Sequence, residues 1–144
     1  MKISVALVFA SLALCSEIAI SVKPDLKVVN QVVVDRKIED SQYEYALKTF
    51  LISLEEEQSV SLEFDVRSKR ILDDQSIVTP LSPEGYTMHA AISEDKYRLS
   101  YFISEPMYMR GVRVVQLAIS LYDYVGRKLI LYDDLDLRIN VEGP

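Results

Sequence analysis

The chain of 144 residues contains one cysteine, one histidine and no tryptophan. A single thiol closes no disulfide within the chain, and with a single imidazole it cannot complete a cysteine–histidine zinc site. Glycine is scarce. Gly85, Gly111, Gly126 and Gly143 are too scattered for a phosphate-cradling loop or a dinucleotide fingerprint, and no Gly-x-Ser-x-Gly elbow is present. Positive charge is also short, with 16 Lys+Arg against 22 Asp+Glu and a formal net charge of −6. That balance opposes tracking of a phosphate backbone, so no nucleic-acid partner is expected. Neither Asn30 (before Gln-Val) nor Asn140 (before Val-Glu) forms a glycosylation sequon, which together with the missing cysteines points to a bacterial envelope.

What is present begins with an address. Lys2 is followed by an uncharged apolar run from Ile3 to Leu14. At about 12 residues it suits the core of a signal peptide and is shorter than the ~20 needed to span a bilayer. Ala19 and Ser21 occupy suitable small-residue positions for cleavage after Ser21, and Ala13 and Cys15 do the same for cleavage after Cys15. The first is preferred, which divides the chain into a signal peptide, 1–21, and one domain, 22–144, with no transmembrane span in the mature chain. Leu12-Ala13-Leu14-Cys15 also resembles a bacterial lipobox, with Leu14 where Gly or Ala is usual. A lipid anchor at Cys15 is the consequence of that resemblance.

The rest of the chain alternates. Val60, Leu62, Phe64 and Val66 are interleaved with Ser61, Glu63, Asp65 and Arg67, as in a half-buried strand. Leu135, Leu137, Ile139 and Val141 repeat the pattern, and so do Tyr97, Leu99, Tyr101 and Ile103. Tyr86, Met88, Ala90 and Ile92 form a further apolar set, joined to the last by a hairpin at Ser93-Glu94-Asp95 and leaving His89 on the solvent side. Val28–Val34, Tyr43–Leu54 and Val112–Leu121 are apolar on both faces, as strands in the middle of a sheet are. Ser41–Glu57 has a helical alternative through Ala46, Leu47, Phe50, Leu51 and Leu54. Gly126 is expected at positive φ in a hairpin turn, and Pro80, Pro83 and Gly85 mark the largest loop. About eight short strands without a long helix predict an all-β fold, an antiparallel two-layer β-sandwich of immunoglobulin-like architecture, with a small closed barrel as the alternative.

Chemistry is sparse. Any imidazole base, triad or imidazole metal ligand must use His89; the acidic groups Asp73-Asp74 and Asp133-Asp134-x-Asp136 lack the spacing of a calcium loop and read as turn residues, and Glu55-Glu56-Glu57 reads as a charged strand end or loop. No cofactor or metal site is expected. The segment Met107, Tyr108, Met109 and Arg110, between Pro106 and Gly111, presents two thioethers and a phenol in what reads as a loop, a composition suited to protein contact. The expectation is a small exported module, periplasmic or extracellular, that binds another envelope or secreted protein and does not catalyse. Two other classes stay open at this level: a carrier of a small apolar ligand and a carboxylate-dependent hydrolase.

Overall fold

The computed structural model describes residues 2–8, 15–36, 44–78 and 83–143. All regular structure in those residues is β, in two sheets that do not close into a barrel. The fold is a β-sandwich. In chain order the strands are β1 (Lys2–Val8), β2 (Cys15–Val22), β3 (Leu26–Val29), β4 (Val32–Asp35), β5 (Glu44–Ser53), β6 (Ser59–Leu72), β7 (Tyr86–Ile92), β8 (Arg98–Ser104), β9 (Met107–Met109), β10 (Val112–Ser120), β11 (Tyr122–Val125) and β12 (Lys128–Glu142).

The larger sheet has the order β3-β4-β5-β10-β8-β7, with β1 beside β5 and β9 beside β10. The smaller is built on β12. β6 pairs with it from Leu129 to Glu142, while β11 and β2 divide its other edge, β11 at Lys128–Leu131 and β2 at Leu135–Glu142. The sheets meet over the alternating sets legible in the sequence. Leu62, Phe64, Leu135, Leu137, Ile139 and Val141 from one layer pack against Phe50, Ile52, Leu99, Tyr101, Leu117 and Ile119 from the other. Opposite the core, Arg138 bridges Glu63 and Asp65, and Arg67 bridges Asp136, so the outer face of the small sheet is charged and wet.

Turns carry the rest of the topology. Asn30 (φ 50°) and Gln31 (φ 66°) break Val28–Val34 into the β3–β4 hairpin. The sequence reading of one continuous strand there is corrected: two consecutive positive φ values make a primed turn, and Gln is not a residue that announces one. Gly126 (φ 54°) and Arg127 (φ 68°) close the expected β11–β12 hairpin. Glu44–Ser53 is a strand and not the helical alternative. Gly85 has φ 83°, as a loop glycine does, while Pro80 lies outside the described residues.

Two further expectations are revised. β7 has the opposite phase: Ala91 is buried, and Met88 and Ile92 are 63% and 60% exposed, while His89, exposed as expected, lies on the core side of the strand and stacks on the inward Tyr101 ring at 5.1 Å. Met88 and Ile92 lie on the outer face of the larger sheet, away from the smaller one, and on the inner side Thr87 and His89 stay exposed because β7 ends the sheet. Asp133, Asp134 and Asp136 lie within β12 and not in a turn, where register shifts around Asp134 mark a bulge. Arg70 grips Asp133 with two hydrogen bonds, Nε at 2.7 Å and Nη2 at 2.9 Å, and Nη2 also donates to the Leu26 carbonyl. This links the small sheet to β3 of the large one.

The bulge turns Tyr132 into the interior, between Phe64 and Tyr97, where its hydroxyl donates to the Arg98 carbonyl. Burial, reinforced by the Asp123 carboxylate, pushes this phenol well above its ordinary range, and burial also raises Tyr86, Tyr101 and Tyr122. A raised phenol favours the neutral form in the fold, while the unfolded chain ionises near pH ~10. The stabilisation is therefore whole below about pH 10 and is lost as pH climbs above it. Urea unfolding between neutral pH and pH ~11 is expected to show this fall, with Tyr132→Phe flattening it at a cost of about 1 kcal/mol near neutrality for the lost hydrogen bond. An equally steep alkaline fall in the variant would show that Tyr132 is not the group responsible.

Candidate protein-contact hairpin

β8 and β9 lie in sequence along one edge of β10, separated by Glu105 and Pro106. The jog is built from Ser104, whose hydroxyl accepts the Gln116 amide at 2.7 Å and donates to the Glu105 carbonyl at 3.0 Å. Pro106 has no amide to offer a ladder, so the chain leaves β8 here and resumes as β9. Tyr86 reinforces the place by donating its hydroxyl to the Gln116 side chain.

The segment expected as a contact loop is thus one arm of a hairpin. Met107 pairs with Val114, Tyr108 with Arg113 and Met109 with Val112, and Arg110 (φ 50°) and Gly111 (φ 78°) close the turn. Positive φ at both central residues matches the right-handed twist of the flanking strands, and Gly111 takes it without steric penalty. The loop reading fails because a strand of three residues, set between Pro106 and the Arg110-Gly111 turn, leaves no room to see alternation.

Alternation assigns the faces. Met107, Met109, Val112 and the buried Val114 continue the outer face of the larger sheet, and Tyr108 lies with Arg113 on the other side. Tyr108 is 69% exposed, Met109 46% and Val112 43%, while Met107 at the base is half-buried and Arg110 is exposed. The stem is tied down: Arg113 Nη1 donates to the Leu54 and Glu55 carbonyls at 3.2 and 2.9 Å, and the Leu54 amide donates to the Arg113 carbonyl at 3.2 Å. The four expected residues therefore come together on one arm. Val112 and Arg113, which complete it, were read as the start of a buried run and had no signal of their own.

The same outer face carries Met88, Ala90 and Ile92 on β7, with the half-buried Phe102 directly opposite Met88 on β8. The other candidates stay apart. The Asp73 carboxylate lies 3.9 Å from Lys128 Nζ, and Glu56 and Glu57 form the turn between β5 and β6. Among the described residues no group of three or more His, Cys, Asp or Glu converges to hold a metal ion. No helix among them is long and apolar enough to cross a membrane. The chain matches no known protein family, no curated protein and no solved structure.

Proposed function

We propose that this protein is a small exported module of the bacterial envelope, periplasmic or extracellular, which holds another envelope or secreted protein and carries out no catalysis itself. In this reading the sandwich is immunoglobulin-like in architecture and uses hairpins and strand edges for contact. The observation that carries it is the braced β9–β10 hairpin with Tyr108, Met109 and Val112 exposed at its end. Apolar and aromatic side chains of this kind favour association when they leave water, and an arm already fixed by Arg113 loses little further entropy on binding.

Tyr108 has the character of a binding hot spot, an aromatic anchor on a rigid support. With the full gene expressed in its own host and crosslinked in intact cells, Tyr108→Ala is expected to reduce recovery of the partner by about 30-fold, as ~2 kcal/mol implies. Thermal unfolding of the purified variant should match the parent, because the side chain lies outside the core. Undiminished recovery with Tyr108→Ala and Met109→Asp combined would remove the hairpin from the contact.

A further inference from the structure

One strand partnership differs from all the others described. β1 runs parallel to β5, whereas every other pairing in both sheets is antiparallel. β1 is also the segment whose charge-then-apolar composition reads as an export signal. Its register sets Val5, Ala6, Leu7 and Val8 opposite Thr49, Phe50, Leu51 and Ile52. The far edge of β5 belongs to β10, and β4 reaches β5 only at Glu44 and Tyr45. Among the described residues, then, β1 alone covers the near edge of β5 from Thr49 to Ile52.

That stretch is buried on both faces. Phe50 and Ile52 belong to the core between the sheets, and Thr49 and Leu51 are buried on the opposite face. A strand in such a position reads as a continuous apolar run and not as an alternation, and Val5-Ala6-Leu7-Val8 is such a run. Remove it, and a row of main-chain donors and acceptors beside buried apolar side chains is left open to strand addition.

The two cleavage positions differ in what they leave behind. β2 pairs with β12 residue by residue from Cys15 to Val22, with Ile18 and Ile20 packed against the core. A cut after Ser21 strips all of β2 except Val22 from β12. A cut after Cys15, with Ala13 and Cys15 as the small residues, removes β1 and spares β2 from Ser16 onward.

We propose that the leader is cleaved after Cys15 and that the edge of β5 it vacates then receives, parallel to β5, an extended and continuously apolar segment of a second exported protein. This rests on the export reading given above, and names the strand edge through which such a module would hold its partner. The leader would act as a placeholder for the partner's strand until processing.

The test uses the full gene in an export-competent bacterium, the exported protein being purified and its intact mass measured. It is then titrated with a synthetic peptide of residues 1–8, Met-Lys-Ile-Ser-Val-Ala-Leu-Val, and with the same peptide carrying Val5→Pro and Ala6→Pro. Adjacent prolines remove donors from both phases of the strand while keeping the peptide apolar. The expected result is a chain beginning at Ser16 that binds the parent peptide at least tenfold more tightly than the diproline peptide and melts at a higher temperature with it. A chain beginning at Ser16 that does not distinguish the peptides overturns the acceptor edge and leaves export standing. A start at Val22 overturns the proposed boundary, an exported chain still carrying Met1 overturns the vacated edge, and a chain retained inside the cell with Met1 intact overturns the export reading and the acceptor edge together.

Discussion

Phe64→Ala is expected to lower the stability of the protein by about 3–5 kcal/mol, the range found when a buried aromatic ring is truncated. Phe64 projects from β6 into the core with almost no exposure, and its ring lies 6.3 Å from that of Tyr132. The loss has two parts, the transfer free energy of the ring and the void left where the two sheets cannot close fully onto each other. Domains of this size have roughly 5–15 kcal/mol in total, so the variant should unfold at a much lower urea midpoint. Met88→Ala is the control. It removes an apolar side chain of comparable length from an exposed position and should stay within about 0.5 kcal/mol of the parent. Equal effects from the two would mean that β6 does not face a packed interior.

The second large effect is expected on β2. Ile18 and Ile20 are half-buried against the core, opposite Ile139 and Leu137 of β12. Truncating a half-buried isoleucine costs about 1–2 kcal/mol, so the double variant Ile18→Ala, Ile20→Ala should lose about 2–4 kcal/mol. Measured on the exported protein, the same variant also reports on processing. A mature chain that keeps β2 carries the full penalty, whereas one that begins at Val22 no longer contains either residue and unfolds like its parent. Urea unfolding of the two exported forms separates these results directly.

How much of this was legible depends on what lay on each side of a strand. The first half of β6 and the second half of β12 were readable residue by residue, because a core covers one face and water the other, and apolar residues answer with a period of two. β7 has the same period, but its phase was misread. Met88, Ala90 and Ile92 outweigh His89 and Ala91 in hydrophobicity, yet they lie on the outer face of the larger sheet, and the smaller sheet packs on the other. The Asp133–Asp136 cluster looked like a turn because aspartate favours turns. Arg67 and Arg70, distant in sequence, make it tolerable inside a strand instead. The contact segment was found by composition, and its form was missed. Met107–Arg110 stood out as Met and Tyr between a proline and a glycine, while its hairpin partners Val112 and Arg113 did not.

Taken alone, the amino-acid sequence determined that this protein is built of strands, where several of its turns fall and that no disulfide holds it together. These are local matters: side-chain alternation, a glycine where φ must be positive, the count of thiols. The tertiary structure alone decided which face of β7 is wet, that β9 folds onto β10 as an arm, and that β1 lies parallel to β5. Periodicity specifies that neighbours point to opposite sides, but which side is buried is settled by what packs there, and edges exist only once strands have neighbours.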